Sequence, residues 1–263
     1  MTAAGERAIA WRHGYHAAVC SRIEPWALGT IARAPDVPSF YEYNLARVEA
    51  PHPTGPELTA EALAAAAEPA LADLQHRRIE VEDEAAGARV APGFAAMGWV
   101  VERLAFLHRE LPCPAPEHIR SRAELRVEAF EASRPLRMAW QGESIWGDPP
   151  GFTLIEEQVA ERRGTRAVVG YLDGEPAGYA GFSAHGQVVE VETVFCLPER
   201  RNCGLGAALV TTALETAHAE GARHALIEAD DDGDSKRLYE RLGFRVRREM
   251  RLTVFSAQAE TGE

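Results

Sequence analysis

Between Leu197 and Gly206 the chain reads LPERRNCGLG, and the reading of this stretch decides the fold. On its N-terminal side Val188–Cys196 (VVEVETVFC) is rich in β-branched residues. Val189, Val191 and Thr193 alternate there with Glu190, Glu192 and Val194, the pattern of a strand with two different faces. On its C-terminal side Leu205, Leu209, Ala213 and Ala217 recur at i, i+4, predicting a helix from about Gly204 to Glu220 that Gly221 closes. A loop placed between strand and helix gathers main-chain N–H groups at the positive end of the helix dipole. Glycines let that backbone approach an anion closely, and arginine adds charge. Arg201-x-x-Gly204-x-Gly206 therefore predicts a cradle for a diphosphate.

Working outward, Arg166–Leu172 (RAVVGYL) and Gly178–Phe182 flank Asp173-Gly174, the signal of a tight hairpin, and His185-Gly186 breaks the chain again before Val188. Downstream, a strand over Ala225–Ala229 is followed by the acidic loop Asp230–Asp234. Next come a helix carrying Leu238, Tyr239 and Leu242, the stop at Gly243, and a last strand from about Arg245. The first half echoes this order. His76–Glu80 (HRRIE) parallels His224–Glu228 (HALIE), an alanine-rich helix over Pro56–Leu74 precedes it, and Gly98-Trp99 parallels Gly243-Phe244. Two copies of one αβαβ unit are expected, with residues 1–112 as the first, 113–121 as a proline-rich linker, 122–257 as the second and 258–263 as a tail.

Arg201-x-x-Gly204-x-Gly206 after a strand ending in VFCLP, followed by Leu238-Tyr239-x-x-x-Gly243-Phe244 before a final strand, resembles the GNAT superfamily of acyl-CoA N-acyltransferases. The match runs over roughly Ala123–Phe255. The resemblance implies an α/β fold with a mixed sheet, the acyl-CoA N-acyltransferase fold, in tandem with a degenerate N-terminal copy. It implies acetyl-CoA as co-substrate, held by Cys196, Leu197, Arg201, Asn202, Cys203, Gly204, Leu205 and Gly206, with no metal. It also implies direct attack of an amine on the thioester within a ternary complex. An alkylamine has a pKa near 10.4, so only about one molecule in 10³ is nucleophilic at pH 7, and a general base is useful. Glu192 matches the family's base and Glu190 is the reserve; both also read as solvent-facing positions. Tyr239 matches the tyrosine that protonates the departing thiolate, and the main-chain N–H near Cys196 matches the oxyanion donor. Two departures stand out. Asn202 and Cys203 occupy loop positions where glycine is frequent, and Asp232 stands where asparagine is common. The first copy has Phe94 in place of Tyr239 and lacks the arginine–glycine loop, so it is expected to be a scaffold.

Trp140 and Trp146 are placed to stack on a substrate cation, with Glu143 or Asp148 paired to it; the same tryptophans also read as core anchors. Phe40–Asn44 (FYEYN) is a second aromatic cluster that would close the pocket. The expected acceptor is a small-molecule or peptide amine.

The composition, 46% hydrophobic and 26% charged, is that of a globular chain rather than a disordered one. A net charge of −12 argues against a nucleic-acid partner, since phosphate attraction needs a basic face. No apolar run approaches the roughly 18–20 residues that span a bilayer, and the opening MTAAGERAIAWRHGYH lacks a signal peptide's apolar stretch, so a soluble, cytoplasmic protein without a membrane partner is expected. A thiol-nucleophile role for Cys196 or Cys203 lacks a sequence-adjacent histidine, and His13, His16 and Cys20 lack a fourth ligand for a metal. Two rivals remain. One is a coenzyme A-binding module without catalysis. The other is an NAD-dependent oxidoreductase, in which Glu228 would bind ribose; Leu209 in place of the third glycine argues against it.

Overall fold

The computed structural model describes residues 3–49, 58–112, 121–143, 151–231, 233 and 235–258. In chain order the elements are α1 (Ala3–Val19), β1 (Arg22–Trp26), β2 (Gly29–Arg33), β3 (Leu45–Val48), α2 (Ala60–Leu71), β4 (His76–Val81), α3 (Glu84–Ala96) and β5 (Val100–Glu110). There follow β6 (Glu124–Ala129), α4 (Arg134–Glu143), α5 (Phe152–Arg163), β7 (Arg166–Leu172), β8 (Glu175–His185) and β9 (Val188–Cys196). The last elements are α6 (Leu205–Ala219), β10 (His224–Asp230), α7 (Ser235–Arg241) and β11 (Arg245–Gln258). None of the helices searched, all among the described residues, is long and apolar enough to cross a membrane.

The chain forms two compact units, and neither is contiguous. Unit 1 takes its described residues from the chain up to Phe106, from Ala229–Asp231 with Gly233, and from Arg247 to Gln258; unit 2 takes them from Leu107 to Glu228 and from Ser235 to Val246. The contiguous halves expected from sequence are thus crossed by the end of β5 and by most of β11. Residues 113–120 of the expected linker and 259–263 of the expected tail lie outside the described residues.

Unit 1 orders its strands β1-β2-β3-β4-β11. Only the β3–β4 pair is parallel, from Ala46↔Ile79 to Val48↔Val81, while β11 runs antiparallel to β4 from Thr253↔Val81 to Gln258↔His76. Pro25 sits in β1, the edge strand, where its missing donor interrupts no interior ladder. Ile79 and Val81 pack with Leu63 and Leu71 of α2 and with Val90 and Phe94 of α3. Side chains alternate along a strand, so Glu80 faces the other way, onto α1. There Arg12 and Glu80 form a buried bidentate pair, Nε to Oε2 at 2.9 Å. Phe40–Asn44 belongs to this unit's own packing. Tyr41 stacks on His76 with ring centroids 3.7 Å apart, Tyr43 is buried, and the Asn44 amide donates to the carbonyls of Val37 and Phe40.

Unit 2 orders its strands β10-β9-β8-β7-β6, antiparallel except for β10 with β9. Asp173 and Gly174 both have positive φ, 56° and 83°, the twist that suits a two-residue hairpin between right-twisted strands. On one face α6 lays Leu205 and Leu209 over Gly170, where an added Cβ would stand 2.7 Å from Leu205. On the other face Leu136 of α4 packs with Ala167, Val169, Tyr179 and Phe195. The succession β3-α2-β4-α3 of unit 1 recurs as β9-α6-β10-α7, with the first strand parallel to the second in each. The duplication expected from sequence is present in the fold.

Candidate functional site

β9 is the strand that builds the site, and its register is broken. Ala180 pairs with Val194 but Gly181 pairs with Glu192, so Thr193, at φ 37°, is an extra residue. A one-residue insertion sends everything beyond it to the opposite face. Strict alternation through Val194, expected from sequence, therefore fails at Thr193. Val194 and Cys196 turn toward α6, each within 4 Å of where a Cβ on Gly206 would sit. Phe195 turns to the α4–α5 face with Glu190 and Glu192, and packs on Tyr179 at a centroid distance of 6.4 Å. The ladder of β9 with β10 covers only Val188↔His224 to Glu190↔Leu226 and ends there, well short of Cys196. Leu197 N donates across to Ala177 O of β8 at 3.0 Å. Successive amides of an extended strand point to opposite edges, so the N–H of Cys196 points to the edge from which β10 has parted.

Beyond Cys196 the chain makes one 3₁₀ turn, Pro198–Arg200, and then passes through Asn202 at φ 60° and Gly204 at φ 82°. Asparagine tolerates the left-handed region better than other side chains, which accounts for Asn202 in a loop position where glycine is frequent. Gly204 is the N-cap of α6, and the first bond of the helix is Ala208 N to Gly204 O at 3.0 Å. The preceding first-turn amides of Leu205, Gly206 and Ala207 have no partner within the helix itself. The Leu205 side chain is buried against Gly170 and Gly178, so Leu205 can offer a ligand only its main chain. Arg201 is exposed, and its Nε donates to Cys196 O at 3.1 Å while its guanidinium lies 5.8 Å from the Phe195 ring centre. Cys203 is exposed and donates to Arg200 O at 3.0 Å. Cys196, Leu197, Arg201, Asn202, Cys203, Gly204, Leu205 and Gly206 thus form one continuous strand end, loop and helix start.

Tyr239 lies on α7, 6% exposed, edge-on to Phe244. Burial, and then the Cys196 thiol, push its phenol up to about 12. Burial, with the Cys203 thiol next and Arg201 opposing, pushes the Cys196 thiol up to about 11. A thiol so raised is protonated at neutral pH and is a poor nucleophile. Asp232 and Trp146 lie outside the described residues, as do Asp148 and Asp234. Trp140 is 38% exposed on α4.

On the α4–α5 face one guanidinium serves both candidate bases. Arg163 Nη2 donates to Glu190 Oε2 at 2.6 Å and Nη1 to Glu192 Oε2 at 2.5 Å, while Thr165 donates to Glu192 Oε1 at 3.0 Å. Glu190 is buried, whereas the Glu192 side chain is 22% exposed. Arg163 was not singled out from sequence, because an arginine at a helix end before a glycine stop reads as a solvated cap. His13, His16 and Cys20 are spent inside unit 1: His13 pairs with Glu82, His16 Nδ1 meets Arg47 at 2.8 Å, and Cys20 donates to Tyr43 O.

Residues 124–244 match the family model described as Acetyltransferase (GNAT) family. A mycothiol acetyltransferase of Thermobispora bispora is 33% identical over 186 residues, a match that takes in 62% of this chain and 59% of that protein. A GCN5-related N-acetyltransferase from Kribbella flavida superposes over 100% of this chain and 97% of its own, at TM-score 0.56 and 22% identity. A tandem GNAT protein from the clavulanic acid biosynthesis pathway covers 77% of this chain and 70% of its own, at TM-score 0.52 and 19% identity. The two solved structures share the fold, and the tandem one shares the doubled organisation. The stretch of the chain from residue 124 to residue 244, which holds the loop, β9 and Tyr239, belongs to the GNAT acetyltransferase family.

Proposed function

We propose that unit 2 transfers an acetyl group from acetyl-CoA to a primary amine by direct attack in a ternary complex. One observation carries this reading. The left-handed turn through Asn202 and Gly204 brings the first-turn amides of α6 together beside the edge where β9 and β10 part. Main-chain donors at a helix start, with the dipole behind them and Arg201 alongside, fit a diphosphate. The parted edge fits an extended chain that pairs with Cys196 and Leu197 as a strand would. Acetyl-CoA bound there would supply an activated thioester, and everything else falls to the protein.

The Cys196 N–H points to that edge and would stabilise charge on an acyl oxygen. Tyr239, protonated and next to Cys196, would donate a hydrogen bond to a departing sulfur. Glu192 is the base we assign, with Glu190 behind it. Arg163 and Thr165 hold the Glu192 carboxylate in place while its side chain keeps partial exposure, open to an incoming ammonium. Glu192→Gln and Tyr239→Phe should both lower kcat while acetyl-CoA still binds.

Unit 1 offers no equivalent opening among its described residues. The β3–β4 ladder runs to Val48, the end of β3, and is extended by Glu82 N to Val48 O at 3.0 Å. Phe94, the counterpart of Tyr239, is fully buried and stacked on Phe255 at 4.0 Å. We assign unit 1 a scaffolding role. Calorimetry with acetyl-CoA, followed by a coenzyme A release assay over a panel of amines, tests the whole reading. No heat of binding would overturn it, and binding without turnover would favour the non-catalytic module.

A further inference from the structure

A glycine inside a strand gives up side-chain packing and backbone entropy, and where its φ is ordinary the reason for it is space. Gly181 of β8 is such a residue. Its φ is not left-handed, so conformation does not call for glycine there. An added Cβ would stand 3.0 Å from Glu192 Cγ, and 3.4 Å from both Glu192 O and the Phe130 ring. Gly181 lies opposite Glu192 in the β8–β9 ladder, at the point where the extra residue Thr193 breaks the register. Gly170 and Gly178 leave room on the α6 face, where Leu205 fills it. Gly181 leaves its room on the α4–α5 face, and the stem of Glu192 takes it.

The far end of Glu192 is fixed by the turn that closes α5. Gly164, left-handed at φ 65°, donates to Glu161 O at 3.1 Å, and Thr165 N donates to Ala160 O at 2.8 Å. This closure brings Arg163 and Thr165, one on each side of the glycine, to the same carboxylate. Arg163 Nη1 donates to Oε2 at 2.5 Å and the Thr165 hydroxyl to Oε1 at 3.0 Å. Thr165 is buried, so its hydroxyl is aimed by the turn. Donors on both oxygens fix the plane of the carboxylate as well as its place.

We propose that Gly181 and Thr165 are positioning residues for Glu192, Gly181 by leaving the room in which its stem lies and Thr165 by fixing the plane of its carboxylate. This rests on Glu192 as the base of the acetyltransferase reading and extends it to two residues that act through that base. The test uses the full chain with Gly181→Ala, Thr165→Val or Thr165→Ser, and the first two also combined with Glu192→Gln. Each protein is assayed for coenzyme A release with whichever of ethylamine, 2-aminoethanol, glucosamine and lysine methyl ester the wild type turns over fastest. A misplacement of about 1 Å near the chemistry costs about 10²-fold. The few tenths of an ångström that Glu192 must yield to an added Cβ should therefore lower kcat roughly tenfold in Gly181→Ala. Thr165→Val, which loses a hydrogen bond to a charged group, should lower kcat at least roughly tenfold, and Thr165→Ser should recover most of that loss. The amine KM and the affinity for acetyl-CoA should hold in all three. In the Glu192→Gln protein neither change should lower kcat further, because the group they position is gone. A single variant within about twofold of wild-type kcat, a loss as large in the Glu192→Gln background, or a matching loss of acetyl-CoA affinity would overturn that residue's role and leave Glu192 as the base. Wild-type kcat in Glu192→Gln would overturn the base assignment and this inference with it. Wild-type protein that acetylates none of the amines would overturn the acetyltransferase reading itself.

Discussion

Replacing Tyr239 by Phe tests how the assigned acid works. In the folded protein burial, and then the Cys196 thiol, push the phenol up from its ordinary 10.0 to about 12. A free alkyl thiol has a pKa of roughly 8.5, so full transfer of the tyrosine proton to a thiolate runs uphill by about 3.5 units, or roughly 5 kcal/mol. Tyr239 is therefore expected to hold its proton and stabilise the leaving sulfur by a hydrogen bond. Such a bond to a charged acceptor contributes about 1.5–3 kcal/mol, so kcat should fall roughly 10- to 100-fold in Tyr239→Phe. The ring and its edge contact with Phe244 remain, so stability should hardly change. The assay is kcat against pH from about 6.5 to 10.5, followed by thiol release. A phenol at its ordinary pKa would lose its proton inside that range and give an alkaline fall; one held at about 12 gives none. Both proteins should show the same rise with pH and no fall due to this residue, the variant lying below the wild type throughout. An alkaline limb at or below about pH 10 in the wild type that vanishes in Tyr239→Phe would refute the reasoning, as would a variant within twofold of wild-type kcat.

Three further predictions concern binding and stability. Acetyl-CoA should titrate in calorimetry to a single site per chain, because the β3–β4 edge is paired to its end and Phe94 is stacked on Phe255; a second equivalent of similar affinity would contradict the scaffold role of unit 1. Glu80→Gln should cost about 3 kcal/mol in urea unfolding, since it removes the buried carboxylate that the Arg12 guanidinium pairs with, Glu42 lying farther off at 3.6 Å, and the double replacement Arg12→Met with Glu80→Leu should recover most of the loss. His76 is buried, its Nε2 donates to Asn44 O at 2.9 Å, and burial lowers it from 6.5 to about 4. Because the folded value is the lower one, its stabilisation is complete above about pH 6.5 and is lost as pH falls toward 4, up to about 2 kcal/mol by pH 5. The stability gap between wild type and His76→Phe should shrink or invert over that range, and a pH-independent gap would count against it.

The parts of the fold that were legible in sequence are those fixed by near neighbours. Asp173-Gly174 between β-branched runs specifies a hairpin because both residues accept positive φ, and the i, i+4 spacing of Leu205 and Leu209 specifies the buried stripe of α6. The loop was legible for the same reason: its arginine and glycines carry their conformational meaning with them. Thr193 was not, since a β-branched residue at φ 37° is held there by the register of β8 and has no signature of its own. Nor was the sharing of Arg163 between Glu190 and Glu192, which unites a helix end with a strand 27 and 29 residues away. The placement of β11 was equally hidden, because its residues read as a strand whichever sheet receives them. Thr253–Gln258 take β4 of unit 1 as partner, across a sequence distance on which local pattern is silent.

Comparing the two copies shows what keeps a ligand edge open. In unit 2 the extra residue Thr193 turns the end of β9, the ladder with β10 stops at Glu190, and Tyr239 presents a buried polar tip nearby. In unit 1 the matching strand β3 has no left-handed residue among its described positions, stays paired with β4 to its last residue, Val48, and is backed by the stacked rings of Phe94 and Phe255 with Trp99 beside them. A buried aromatic of that kind contributes about 3–5 kcal/mol when judged by its replacement with alanine. Unit 1 keeps that packing and its ladder, whereas unit 2 gives up ladder bonds at the same place. Sequences that break local rules tend to do so where function requires it. The break at Thr193 lies in unit 2, on the strand that carries Glu192 and Cys196, which is where a reacting pair of substrates would have to meet.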